Sequence, residues 1–119
     1  MNRKYLSIVV CIVLMLVTVS ACAESDFPTG MFIVEGGYYE LEFTEDGEVF
    51  KYTDGSLDNQ GIYSVRGDEF TWKSHTFCGD KKAIYIWTYE NDAIIFTLKG
   101  EDNCPARVFF FDNRTFYKE

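Results

Sequence analysis

The sequence predicts an all-β domain, an antiparallel up-and-down meander of about eight strands closed into a small barrel, and three observations predict it. After residue 29 no helical period survives for more than a turn or two. Apolar and polar side chains alternate at period two instead, as half-buried strands require. Tight-turn chemistry recurs at Glu45-Asp46-Gly47, Arg66-Gly67-Asp68, Glu90-Asn91-Asp92 and Asp112-Asn113-Arg114. The interval is roughly 21 to 24 residues, the length of two strands and two connections.

Taken in order, residues 30–35 read as the first strand and Gly36-Gly37 as the turn out of it. Tyr39, Leu41 and Phe43 then alternate with Glu40 and Glu42. Residues 48–53 and 61–65 follow as strands, with 54–60 as a longer loop between them. Phe70, Trp72 and Ser74 alternate with Glu69, Thr71 and Lys73, and Ile94, Phe96 and Leu98 with Ile95, Thr97 and Lys99. Residues 83–89 and 107–111 are apolar on both faces, through Ile84, Ile86, Tyr85 and Trp87 in the first and Val108, Phe109, Phe110 and Phe111 in the second. Something must cover their second face. Residues 115–117 add a short terminal piece. In a meander the four tight turns share one end, the near end, and the longer connections 54–60, 75–82 and 100–105 share the other, the far end. Closure removes the exposed sheet edges. Eleven Phe, eight Tyr and two Trp in the chain can fill such a barrel entirely, or leave room for one small ligand.

Residues 1–21 read as an export signal. Asn2-Arg3-Lys4 is a positive n-region, residues 5–19 are an almost uncharged apolar run, and small residues lead into Cys22. Val19-Ser20-Ala21-Cys22 resembles the bacterial lipobox. That resemblance implies diacylglycerol transfer to the Cys22 sulfur, cleavage before it, and acylation, typically with palmitate, of the new amino terminus. Ordinary secretory cleavage around Ala21-Cys22-Ala23 and an uncleaved anchor are the alternatives. The organisation expected is a signal peptide 1–21, a lipid-anchored tether 22–29 and a barrel domain 30–119. The tether enters the first strand from the near end, so the far-end loops face away from the membrane. The location expected is the exported side of a cell membrane or outer membrane, with the membrane itself met through the lipid on Cys22.

Of 11 basic side chains, Arg3 and Lys4 leave with the leader, while all 19 acidic ones stay, for a charge of about −10 on the remainder. Such a surface repels nucleic acid, and no basic run offsets it. It keeps the protein soluble, and it attracts a basic partner. Asp80 and Asp102, in far-end loops, are the carboxylates expected to meet one. With Cys22 lipidated and Cys11 discarded, Cys78 and Cys104 remain as an even pair in an oxidising compartment, most simply a disulfide. Its loop would contribute roughly 3 to 4 kcal/mol in the chain-entropy model. His75-x-x-Cys78 has ligand-like spacing, but a metal site there lacks a clear fourth ligand.

Gly61-Ile62-Tyr63-Ser64-Val65-Arg66-Gly67-Asp68, then Cys78, then Tyr85-Ile86-Trp87, and finally Cys104-Pro105-Ala106-Arg107 together resemble bacterial lipocalin-like small barrel domains. The resemblance covers most of residues 30–119 and implies an antiparallel barrel able to bind a small apolar molecule. It implies no activity. Gly30-Met31-Phe32 stands where lipocalins carry Gly-x-Trp, and the chain is much shorter than theirs. Arg107 could stack on a first-strand aromatic, as lipocalins close one barrel end, or stand solvated at a strand end, paired with Asp102 or a neighbour.

Catalytic signals are sparse. His75 is the single histidine, no Gly-x-Ser-x-Gly element occurs, and Asp46, Asp68 and Asp92 have turn roles. The expectation is a non-enzymatic, monomeric, lipid-anchored binding domain without metal or cofactor. Two functions are open: holding a small apolar ligand, or acting as a protein-interaction module such as an envelope inhibitor of a basic secreted hydrolase.

Overall fold

Period-two alternation rolls this chain into a closed eight-stranded antiparallel barrel in which every strand pairs with its sequence neighbour and the last returns to the first. The computed structural model describes residues 26–119; the leader, the lipobox and Cys22 lie outside the described residues. The strands are β1 (Gly30–Val34), β2 (Glu40–Phe43), β3 (Glu48–Thr53), β4 (Ser56–Arg66), β5 (Glu69–His75), β6 (Ala83–Glu90), β7 (Ala93–Lys99) and β8 (Thr115–Lys118). One short helix, α1 (Pro105–Phe111), lies between β7 and β8. Closure is made by β1, which pairs Phe32 with Leu41 of β2 on one side and Val34 with Phe116 of β8 on the other.

Three elements depart from the sequence reading. Residues 107–111 are helical, not a strand: Pro105 occupies the first turn, where its missing N–H is harmless, and Arg107 and Phe111, four apart, both turn inward. Phe109 and Phe110 are left on the exposed side, which is why the segment looks apolar all round. Residues 54–60 are not a loop. Thr53 pairs with Ser56 across a two-residue turn in which Asp54 and Gly55 both have positive φ, 51° and 78°, as a type I′ hairpin requires. The strand β4 thus starts early, and its polar opening residues project at the barrel rim. The turn 112–114 does not join the other three at the near end. It links α1 to β8, and the Asn113 N–H donates to the Phe96 carbonyl at 2.8 Å. β8 reaches only the near half of β7; further along, the Asp112 carboxylate accepts the Leu98 N–H at 2.8 Å in its place.

The interior is aromatic. Phe32, Phe43, Phe70, Tyr85, Phe96 and Phe116 are fully buried, and Phe111 of α1 stacks on Phe96 with ring centres 4.0 Å apart. Phe27, from the segment read as tether, closes the near mouth by packing 5.3 Å from Phe43 and 5.1 Å from Trp87. Each fully buried ring removes on the order of 2 to 3 kcal/mol of apolar surface energy from water.

One glycine is fixed by packing. An added Cβ at Gly61 would sit 2.6 Å from the Trp72 ring and 2.8 Å from the Ser74 carbonyl oxygen, so the β4 backbone itself is the surface against which Trp72 packs. The substitution Gly61→Ala is expected to destabilise the fold by about 1 to 3 kcal/mol through overpacking. Urea unfolding checks this, with the midpoint falling and the slope unchanged.

Candidate functional site at the far mouth

The near half of the barrel is filled by rings, whereas the far half mixes rings with charge. Lys51 of β3, Asn59 of β4, Trp72 and His75 of β5, Tyr85 of β6 and Arg107 of α1 meet there. They do so because β3 and β4 continue their inward alternation past Val49 and Gly61 toward the rim, and because α1 folds back over the opening. Register shifts leave Asp58 of β4 unpaired opposite Lys51/Tyr52 and Lys73 of β5 unpaired opposite Ile62/Tyr63, and such bulges bend the far halves of the two strands.

Asp102 anchors the helix. Its two carboxylate oxygens accept from Arg107 Nη2 at 2.6 Å and Nε at 2.7 Å, from the Tyr85 hydroxyl at 2.7 Å, and from the Cys104 N–H at 3.0 Å. The pair is fully enclosed, and the guanidinium lies 5.7 Å from the centre of the Trp72 ring. Arg107 pairs with Asp102 and stacks on an aromatic, but it is buried on a helix and not solvated at a strand end, and its ring comes from β5 and not from the first strand. Asp102 is not a surface carboxylate open to a basic partner; Asp80 is exposed. Burial pushes the Asp102 pKa up, but the hydrogen bonds from Arg107, Tyr85 and Cys104 outweigh it and hold it below the usual range. The same burial, with the Asp102 carboxylate as acceptor, drives the Tyr85 hydroxyl far upward. Cys104, the residue before α1, is bonded to Cys78 with Cα atoms 5.7 Å apart, so the helix is tied covalently to the β5–β6 loop. The bridge takes both thiols away from His75.

Three buried polar atoms find no protein partner among the described residues: Asn59 Oδ1, Trp72 Nε1 and Arg107 Nη1. All three residues line one cavity of about 30 Å³ beneath α1, whose walls are otherwise mainly apolar, with Leu41, Val49 and Phe111. Their exposure is 5%, 3% and 2%, so an unmatched atom at each costs about 1 to 3 kcal/mol of desolvation. Exposed Phe77 and Phe110 also line the cavity, which carries it out to the rim. Lys51 Nζ is held by Asp58 at 3.0 Å and lies over the Tyr39 and Phe110 rings at 5.0 and 4.8 Å.

His75 stands at the end of β5 with its ring 5.3 Å from Trp72. Burial first, then the charge of Arg107, lowers its pKa to about 4, against an upward pull from Asp102 that exceeds the small further lowering by Lys51. It is neutral at physiological pH. The sequence pointed to His75, Cys78, Cys104 and Arg107 in this region; it missed Lys51 and Asn59, since one lay mid-strand and the other in a supposed loop. Inward alternation carried on from Val49 through Lys51 was the signal available.

Around this mouth the large apolar side chains Tyr38, Leu57, Phe77, Phe109 and Phe110 are exposed. The charges there are mixed: Lys51, Lys81, Lys82 and Arg114 stand beside Asp54, Asp58 and Asp80. The near end is more acidic, with Glu45, Asp46, Asp68, Glu90 and Asp92. No family model, curated protein or solved structure matches the chain.

A depressed histidine pKa means that the folded state binds fewer protons than the unfolded chain between about pH 6.5 and 4. Its contribution to stability is thus whole above 6.5 and is lost as pH falls toward 4. Tm is expected to fall across that window and to fall less in His75→Gln, as differential scanning calorimetry at stepped pH checks. The Asp102 contribution is lost only below the ordinary carboxylate range, so the two windows separate.

Proposed function

We propose that this chain is an exported, lipid-anchored, non-enzymatic binding domain of lipocalin-like kind, which holds a small, mainly apolar ligand at the far mouth of its barrel. The observation that carries this reading is the cavity under α1: an apolar pocket with a few polar residues is the usual form of a small-molecule site, and this one is mainly apolar with Lys51, Asn59, His75 and Arg107 among its lining residues. A volume of about 30 Å³ suits a head group, with the ligand body lying on the rim against Phe77 and Phe110. The aromatic filling of the near half argues against a deep calyx.

The anchor supports the orientation. A chain held at Cys22 enters the barrel beside Phe27 at the near mouth, so the binding mouth faces away from the membrane. Recognition on loops and termini carried by a rigid scaffold is the common arrangement. A second reading, a protein-interaction module, is favoured by the ring of exposed apolar side chains at the same rim. The mixed charge there gives a basic partner no particular preference for this end.

Two experiments test the proposal. Replacing the acylated residue, Cys22→Ser, is expected to abolish incorporation of labelled palmitate and to release the protein from the membrane fraction; label entering the variant would overturn the anchor. Native mass spectrometry of protein purified from its own envelope is expected to show a bound small molecule in sub-stoichiometric or full amount. A bare protein that also fails to bind any apolar probe would overturn the small-ligand reading and leave the rim as a protein contact.

A further inference from the structure

Carboxylates outnumber lysines and arginines in this chain, 19 against 11, so a cation held in place without a carboxylate is informative. Among the described residues three lysines or arginines are not exposed: Lys51, Arg107 and Arg114. Lys51 pairs with Asp58 and Arg107 with Asp102, whereas Arg114 has no carboxylate within ion-pair distance among the described residues. Its position is fixed all the same. Nε donates to the Phe109 carbonyl at 3.2 Å, and the guanidinium lies 5.3 Å from the centre of the Phe109 ring. The backbone on either side is held too: the Asn113 N–H donates to the Phe96 carbonyl, and the Glu35 N–H to the Thr115 carbonyl, each at 2.8 Å. Nη1 and Nη2 of Arg114 are left without a partner among the described residues. Unlike the enclosed Nη1 of Arg107, both are open to solvent.

Arg114 lines a cleft of about 270 Å³ between α1 and the β1–β2 turn, whose other walls are chiefly Val34, Tyr38, Tyr39, Phe109 and Phe110. Tyr38, Phe109 and Phe110 are exposed, and the Tyr39 hydroxyl donates to the Phe110 carbonyl, which fastens β2 to the helix. The cavity under α1 shares Tyr39 and Phe110 with this cleft but lacks Tyr38 and Arg114. We propose that the cleft is a second binding site, for a small apolar monocarboxylate whose carboxylate is held by Arg114 and whose body lies among Tyr38, Phe109 and Phe110. The site stands apart from the ligand of the cavity under α1 and goes beyond it.

Charge decides the head group. A guanidinium presents N–H donors in a fixed plane that matches the two oxygens of a carboxylate, and with Nε taken by Phe109 the donors left are those of Nη1 and Nη2. An ammonium head would meet a like charge, and a neutral head would forgo the charge-assisted bond. The overall charge of about −10 outside the leader narrows the class further, since it repels polyanions while a single carboxylate answers to the local field of Arg114. Glu35 also lines the cleft and is exposed; its carboxylate opposes the same head group, so its removal has a definite sign. Size decides the body. The cleft lies just below the roughly 300 Å³ at which small-molecule pockets begin, which suits one ring and a short chain. Because Arg114 and α1 are held before any ligand arrives, less ordering entropy is lost on binding.

The test is calorimetric titration of the purified protein, at low and at high salt, with 3-phenylpropanoate, 3-phenyl-1-propanol, 3-phenylpropylammonium and acetate. 3-Phenylpropanoate is expected to bind at least fivefold more tightly than the alcohol or the ammonium, with acetate weaker still for want of a body, and salt to narrow the difference. Arg114→Gln is expected to bring 3-phenylpropanoate down to the level of the alcohol and to leave the alcohol unchanged. Tyr38→Ser, at an exposed ring, is expected to weaken both severalfold. Arg66→Gln, which removes an exposed cation at a near-end turn, is expected to change neither. Glu35→Gln is expected to tighten 3-phenylpropanoate twofold or more at low salt. It leaves the Arg114 contacts in place, so the absence of any gain there would overturn the proposal even where Arg114→Gln failed to fold. Equal or tighter binding of the alcohol, or full 3-phenylpropanoate affinity in Arg114→Gln, would overturn the carboxylate assignment. Equal losses in Arg66→Gln and Arg114→Gln would reduce the effect to net charge and overturn it as well. No binding by any probe would overturn the cleft as a site.

Discussion

The enclosed ion pair between Asp102 and Arg107 is the contact on which the far half of this barrel depends. A seven-residue helix has too few hydrogen bonds to form alone in water, so α1 exists because tertiary contacts hold it. Asp102 grips its first turn, the Cys78–Cys104 bridge ties down the residue before it, and Phe111 is sunk among Phe70, Trp72, Tyr85 and Phe96. Of these, the ion pair tolerates least change. Removing one partner leaves an uncompensated buried charge, a loss of several kcal/mol, while an apolar replacement of one ring can repack. The carboxylate has four donors around it, which satisfies both oxygens and makes burial of the charge bearable.

From that constraint the division of the interior follows. Toward Phe27 rings fill the barrel, with Phe27 packed against Phe43, Tyr63, Phe70 and Trp87. Under α1, geometry set by the helix and by the bulges in β4 and β5 brings Asn59, Trp72 and Arg107 around one small cavity, and each carries a buried polar atom with no partner among the described residues. Natural proteins leave few buried polar atoms unpaired, and three in residues that line one cavity, at the mouth opposite Phe27, set this end apart. The same helix presents Phe109 and Phe110 outward, so the element that seals the barrel also supplies part of its exposed rim.

Much of the fold was legible in the chain. The alternation in residues 39–43, 69–74 and 94–98 specified strands and their inward faces, since a one-residue slip would turn Phe43, Phe70 or Phe96 to water. Asn91-Asp92 and Gly67-Asp68 announced hairpins through their backbone preferences. The segment 54–60 was misleading because β4 runs past the sheet's covered region; Ser56, Leu57 and Asp58 are exposed, so their composition resembles a loop although their backbone pairs with β3. Residues 107–111 misled in the opposite direction, since Val-Phe-Phe-Phe has strong β propensity and only Pro105 and the inward pair Arg107/Phe111 argued for a helix. Propensity is a weak preference that packing overrides.

By itself, then, the sequence determined the all-β class, the meander order, the cysteine pair suited to bridging and the acidic balance of the surface, because each of these depends on local periodicity, turn chemistry or composition. Tertiary structure alone decided that α1 is a helix, that Arg107 stacks on Trp72 of β5, and that Asn59, Trp72 and Arg107 line one cavity. Those outcomes depend on which residues meet after the barrel closes. Asn59 and Arg107 are brought together by the curvature of the sheet and by a helix stabilised only through distant partners, and neither term is written in the residues beside them.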